Sequence, residues 1–273
     1  MLKIKEYVKV KDLEEAYLLN QKKTACVLGG MVWLKMGNRN ISTAIDLSGL
    51  DLDMIEETEE EFRIGAMTSL RTLETYKGLD GYTQGAVKKS LRHIVGVQFR
   101  NCATVGGSIF GRYGFSDVLT MFLAMDSYVE LYKGGIVPLE DFAKKKPDRD
   151  ILVRVIVKKR PIKTVYLSQR NSSTDFPVLT CCVGLFADGE ARAVVGACPQ
   201  RAGLVQDEQG ILKDFCSKDL KAQEQAAVSF AQYAKERVKT GGNMRASKEY
   251  RSHLVGVLVK RALLAAGGMD NGN

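Results

Sequence analysis

Gln98-Phe-Arg-Asn-Cys-Ala-Thr-Val-Gly-Gly-Ser-Ile109 is the stretch that decides how this chain is read. Its glycine pair, Gly106-Gly107, follows an apolar, strand-like run, and a residue without a Cβ lets backbone N–H groups come close to an anion. The same arrangement occurs earlier. Thr24-Ala-Cys-Val-Leu28 reads as a short buried strand, broken by Gly29-Gly30 and followed by Met31-Val-Trp-Leu34, which enters a turn or short helix. A single Gly-Gly is an ordinary tight turn; two of them after strand-like runs suggest a clamp for a diphosphate. Neither is a standard nucleotide loop. No G-x-G-x-x-G opens a βαβ unit and no G-x-x-x-x-G-K-S/T occurs, which disfavours a Rossmann enzyme or a P-loop NTPase. Taken alone, the residues lead to an anion or dinucleotide site.

Outward from these turns, the chain alternates strand and helix signals. Asp12-Leu-Glu-Glu15 has the spacing of a helix N-cap and predicts a helix over 12–20. Ile41 to Leu47 and Glu61 to Gly65 read as strands, with Thr68 or Ser69 capping a short helix through Leu70 and Leu73. Ser116-Asp117 precedes Val118 to Ala124 and predicts a capped, buried helix. Tyr128 to Tyr132, Ile136-Val137 and Ile151 to Val157 are strand-like. Pro161 and the polar stretch Asn171 to Thr174 mark a boundary, giving expected domains of 1–161 and 162–268. Beyond it, Val178 to Phe186 and Ala191 to Val195 read as an antiparallel pair joined at Asp188-Gly189. Tyr250, Leu254, Val257, Leu258 and Ala262 give a last helix one buried stripe.

Composition narrows the chemistry. With 273 residues, 45% hydrophobic and 26% charged, the chain is neither disordered nor collagen-like. The +8 charge admits an anionic ligand, but Lys144-Lys145-Lys146 and the run from Lys158 to Lys163 lack interleaved aromatics. They read as solvated faces, not as a nucleic-acid site. No apolar run reaches the ~18 residues of a membrane span and no signal peptide is evident, so the expected location is cytoplasmic, without membrane contact. Cys26, Cys102, Cys181, Cys182, Cys198 and Cys216 show no C-x-x-C spacing, and His93 and His253 are too few for a His-rich metal site. Reduced, buried thiols and structural histidines are expected, with no metal ligands and no catalytic residue in this chain.

Beyond its residue-level reading, the chain resembles a known family. Val27-Leu-Gly-Gly-Met-Val-Trp-Leu34 resembles the A-G-G-T-D-L-L turn, and Gln98 to Ile109 the Q-I-R-N-x-A-T-x-G-G-N-I motif, of FAD subunits in the xanthine dehydrogenase and carbon monoxide dehydrogenase family of molybdenum hydroxylases. Ser116-Asp117, Arg63 to Leu70, Asp150-Ile-Leu152 and Arg245 to Arg251 extend the similarity over nearly the whole chain. The resemblance implies an α+β fold: a two-part FAD-binding domain of the PCMH/vanillyl-alcohol-oxidase type, then a smaller C-terminal α+β domain with an antiparallel sheet. It implies that Val27, Leu28, Gly29, Gly30, Met31, Val32 and Trp33 form a first pyrophosphate loop. Ala103, Thr104, Val105, Gly106, Gly107 and Ser108 would form the second, with the amides of both facing the FAD phosphates. Asp117 would bind the polar part of FAD, and Ile151 or Leu152 would lie beside the flavin.

The implied function is electron transfer. The chain would be the FAD subunit of a heterotrimer, with a molybdopterin-containing large subunit and a small subunit carrying 2Fe–2S clusters, passing electrons to NAD or a similar acceptor. Met31-Val32 stands where relatives have a Thr-Asp or Thr-Glu pair, so contacts there would be mainly backbone. Phe110-Gly-Arg-Tyr-Gly-Phe115 replaces a smaller stretch, and Ser168 stands near a position that is often lysine. Phe110 or Tyr113 could lie against the isoalloxazine, but packing is the expected role of both, and core packing that of Trp33. The competing reading is a non-catalytic assembly subunit that has lost FAD.

Overall fold

Two short segments of parallel pairing open the chain. In the computed structural model, which describes residues 1–268, strand β1 (Lys3–Lys9) is followed by helix α1 (Leu13–Asn20), strand β2 (Cys26–Leu28) and strand β3 (Asn40–Asp46). The sheet order is β1-β3-β2, both pairs parallel, so each connection must cross over the sheet. Asp12 caps α1 by accepting from the Glu15 amide at 2.8 Å, as its spacing predicts.

A second sheet follows. Strands β4 (Ile55–Glu57) and β5 (Glu61–Gly65) lead into six short helices: α2 (Leu70–Thr75), α3 (Lys77–Tyr82), α4 (Ala86–Leu91), α5 (Val97–Cys102), α6 (Val105–Phe110) and α7 (Asp117–Leu123). Strands β6 (Ser127–Leu131) and β7 (Gly135–Pro138), helix α8 (Leu139–Lys144) and strand β8 (Leu152–Lys158) complete it. The five strands are antiparallel in the order β4-β5-β8-β6-β7.

The third sheet holds β9 (Ile162–Arg170), β10 (Pro177–Phe186), β11 (Ala191–Gly196) and β12 (Gly203–Val205), antiparallel in the order β12-β11-β10-β9. Helices α9 (Leu220–Arg237) and α10 (Lys248–Gly267) follow. Every residue of β10 is buried, because the strand is covered on both faces. Cys181, Val183 and Leu185 pack in a core with Phe230 of α9 and Val255 of α10, whereas Cys182 and Phe186 join Leu119 and Phe122 of α7. The architecture is thus the mixed, antiparallel-sheet fold that the resemblance implies. No helix among the described residues is long and apolar enough to cross a membrane.

Several local readings are corrected by packing. The Gln98–Ile109 segment is helical where the apolar run looks like a strand: α5 ends at Cys102, Thr104 turns the chain, and α6 carries both glycines in its first turn. Ser69, not Thr68, caps α2; Thr68 is buried and its hydroxyl donates to the Met54 carbonyl at 3.2 Å. The segment 162–170, passed over between Pro161 and the polar loop, is β9, whose Ile162, Thr164 and Tyr166 alternate inward. In α10 the buried stripe includes Leu254, Val255, Leu258, Val259 and Ala262, while Tyr250 is exposed. Lys158, Lys159 and Arg160 are not merely solvated: they pair with Glu61, Glu57, Asp188 and Glu190. Of the cysteines, Cys181, Cys182 and Cys198 are buried, and burial pushes the Cys181 thiol up to about 12; Cys102 and Cys216 are exposed.

Candidate functional site

The first glycine loop begins where β2 leaves its sheet. Leu28 still pairs with Asp46, and beyond it the backbone turns through Met31, whose φ of 57° lies in the left-handed region. The turn closes when the Lys35 amide donates to the Met31 carbonyl at 3.0 Å. Inside it, the amides of Gly30, Met31, Val32 and Trp33 have no acceptor among the described residues. Four unpaired donors on one loop fit an anion without any buried lysine.

The second loop differs. Thr104 caps α6 by accepting from the Gly107 amide at 3.1 Å, and the Ser108 amide donates to the Thr104 carbonyl at 3.1 Å. The amides of Ala103, Val105 and Gly106 donate to the carbonyls of Phe99, Thr68 and Ala66 at 2.8, 2.9 and 2.8 Å. These five N–H groups are already satisfied, so the expectation that both turns aim their amides at phosphate is corrected for the second one. Its glycines serve packing instead: a Cβ on Gly106 would lie 2.6 Å from the Ala66 carbonyl oxygen. What the second loop can offer is side-chain chemistry, from the Thr104 and Ser108 hydroxyls.

The two loops meet. A Cβ on Gly30 would lie 1.7 Å from the Cys102 carbonyl oxygen, a distance no side chain tolerates. Together they line a cavity of about 780 Å³, inside the ~300–1,000 Å³ range of small-molecule and cofactor pockets. Val27, Leu28, Gly29, Gly30, Met31, Val32, Trp33, Ala103, Thr104, Gly106, Gly107, Ser108, Asp117, Ile151 and Leu152 all border it. Val105 does not; it is fully buried in the main core.

Asp117 is the most heavily engaged of these. Ser116, not Asp117, caps α7, its hydroxyl oxygen accepting from the Leu119 amide at 3.1 Å and donating to the Ser108 carbonyl at 3.2 Å. Asp117 follows as the first helical residue, and its Oδ1 accepts from both the Tyr166 hydroxyl and the Arg170 guanidinium of β9. Burial pushes the Asp117 carboxyl above the usual range, opposed by the Arg170 charge and the Tyr166 hydroxyl; burial and the neighbouring Asp117 push the Tyr166 phenol well up. Near Ser168, the cation at the cavity is therefore Arg170, two residues on, whose Nε donates to the Ser168 hydroxyl at 3.3 Å.

Opposite, Ile151 and Leu152 enter the cavity wall from a strapped turn. Asp150 accepts from the amides of Lys133, Gly134 and Ile151, and the Arg149 guanidinium donates to the carbonyls of Asn20, Lys22 and Lys23 at 2.8, 2.9 and 2.7 Å. A third wall is aromatic. Trp33 stacks on Phe176 with centroids 5.4 Å apart and meets Phe115 at 5.8 Å and Phe99 at 5.9 Å. It is 37% exposed, so it faces the cavity and is not a core residue. Phe110 packs on Phe142 at 6.0 Å and Tyr113 stacks on Phe115 at 5.2 Å, the packing roles expected of them, although both also border the cavity.

Residue reasoning missed Ala66, Met67, His93, Ile94, Phe115, Arg170, Asp175 and Phe176, all at the cavity. Ala66 and Met67 lie in the Arg63–Leu70 stretch already singled out. Phe176 had no local signal, since it follows the polar loop that reads as a linker. His93 is half-buried, its pKa lowered by burial and by Arg92 and Arg170, and its Nδ1 lies 3.1 Å from the Ser173 hydroxyl.

Comparison with known proteins agrees with this geometry. A family model described as the FAD binding domain in molybdopterin dehydrogenase matches residues 2–159. The chain is 28% identical over 238 residues to the uncharacterized protein YgfM of Escherichia coli strain K12, covering 84% of this chain and 85% of that protein. Its fold is similar, with a TM-score of 0.83 and 21% identity over 97% of both chains, to a chain of carbon monoxide dehydrogenase from Hydrogenophaga pseudoflava in a form lacking the Mo-pyranopterin moiety. A chain of quinoline 2-oxidoreductase from Pseudomonas putida 86 is similar at a TM-score of 0.82 and 20% identity, over 98% of both chains.

Proposed function

The chain belongs to the family of FAD-binding domains of molybdopterin dehydrogenases and binds FAD, and from that premise we propose that it is the electron-transfer subunit of a complex resembling xanthine dehydrogenase. Its partners would be a molybdopterin-containing large subunit and a small subunit with 2Fe–2S clusters, in a cytoplasmic heterotrimer with NAD as acceptor. Residues 1–161 would form the FAD-binding unit and 162–268 a second unit that closes it.

The observation that carries this reading is the convergence of both glycine turns on one cavity of about 780 Å³, one of them with four unpaired amides. These residues fit FAD. The amides of Gly30 to Trp33 would hold the diphosphate, the Thr104 and Ser108 hydroxyls would add to it, and Asp117 would keep Oδ2 for a polar group. Ile151 and Leu152 would supply apolar contact. The group these residues would hold would supply a carrier able to accept single electrons and release a pair, which would suit one-electron clusters on one side and a hydride acceptor on the other. The chain's own share is to hold and orient that group. The Met31-Val32 departure removes a hydroxyl and a carboxylate but leaves both amides free, which favours FAD binding over the assembly-subunit alternative.

Native purification tests the proposal. A yellow protein carrying FAD, with molybdenum- and iron-sulfur-containing partners, is expected, and its flavin absorbance should bleach anaerobically with NADH. A colourless chain that takes up no FAD would remove the reading; a flavin that NADH leaves oxidised would remove NAD alone.

A further inference from the structure

The wall formed by Asp175 and Phe176 is held from far along the chain. Arg245, in the turn before α10, forks onto the Asp175 carboxylate, with Nη2 and Nε at 2.9 and 3.1 Å, and lies 4.8 Å from the centre of the Phe176 ring. The Asn171 side-chain amide donates to the Arg245 carbonyl at 3.1 Å, so the polar loop between β9 and β10 is gripped at both ends. The turn carrying Arg245 is itself fixed. Arg251, 1% exposed, donates to the carbonyls of Val178, Gly241 and Ala246 at 2.9, 2.7 and 2.8 Å and to Asn243 Oδ1 at 2.7 Å. Asn243 Oδ1 also accepts from the Arg245 amide at 2.9 Å.

We infer that Arg245 is a positioning residue of the FAD cavity: by clamping Asp175 and stacking on Phe176, it sets the aromatic wall formed with Trp33. A forked arginine suits this task, because a planar guanidinium can bond a carboxylate in two places and lie against a ring at once. Phe176 passes the constraint to Trp33 at 5.4 Å and to Phe115 at 4.5 Å. The part of the inference that concerns ligand affinity rests on the FAD reading; the part that concerns the wall does not.

Trp33 is the chain's one tryptophan, so its fluorescence reports on this wall directly. In the full-length Arg245→Met variant, Trp33 emission should shift to the red and become more accessible to acrylamide, and FAD titration should show about tenfold weaker binding. Arg245→Lys keeps the charge without the fork and should fall between. Should Arg245→Met fail to fold, Asp175→Asn breaks the same pair from the other side and should give the same two changes. Unchanged Trp33 emission and FAD affinity in a variant that merely melts earlier would overturn the inference. If the wild-type chain takes up no FAD, the cofactor reading fails, while the Trp33 emission still decides the role of Arg245.

Discussion

Gly30 is where a single atom matters most. Its missing Cβ lets the first loop lie against the Cys102 carbonyl, 1.7 Å from where that atom would stand, and backbone cannot move aside as a side chain can. Gly30→Ala should therefore cost at least the ~1–3 kcal/mol of an overpacked core and force the loops apart. The variant is expected to unfold at lower urea and to lose FAD on gel filtration; normal flavin content would contradict the assignment. Both glycine pairs were visible in the sequence, but their use was not. A Gly-Gly pair looks alike whether an anion or another stretch of backbone comes close, and on the Cα side of Gly30 and Gly106 it is backbone that does.

Among the elements, α5 shows what the Gln-Phe-Arg-Asn part of the motif does. Arg100 does not face the cavity; it is buried on Glu74 of α2, its Nε 2.8 Å from the carboxylate, and its Nη1 donates to the Ile94 carbonyl at 3.1 Å. The pair ties α5 to α2 and so fixes where α5 hands the chain to the second loop. Burial pushes the Glu74 carboxyl up, but the bonds from Arg100 and Arg71 outweigh it and hold it below the usual range. A lowered folded-state pKa stabilises the protein above the unfolded value of ~4.3, and that contribution fades as pH falls through the folded value. Arg100→Met should destabilise the protein by up to about 3 kcal/mol near pH 7, because buried Glu74 is left with only the partly exposed Arg71 as its partner. In denaturant titrations the gap from wild type should narrow as pH falls through the lowered folded value of Glu74, until the carboxyl is protonated in both. A gap independent of pH would mean that shape, not charge, is the role of Arg100.

At the scale of the whole molecule, the proposed units share a core. Tyr166, Cys182, Phe186 and Val194 from the third sheet pack with Val118, Leu119 and Phe122 of α7, and Asp117 and Arg170 bridge the same junction. One cooperative heat-absorption peak is expected in calorimetry, and FAD at a hundred times its Kd should move the entire peak up by about 5 °C. Two separately moving peaks would show that the junction is weak. The sequence by itself determined the alternation of elements, the glycine turns, the Asp12 cap and the family, because periodicity, caps and chirality-free residues act over a few neighbours. All of its candidate site residues except Val105 border the cavity, although many further residues line it too. Only the tertiary structure decided that Gln98–Ile109 is helical, that one loop keeps its amides free while the other spends them on protein carbonyls, and that Phe176 and Arg245 complete the wall. Those outcomes depend on partners such as Ala66, Thr68 and Asp175 that lie far away along the chain, and a local pattern carries no trace of which distant acceptor satisfies a donor.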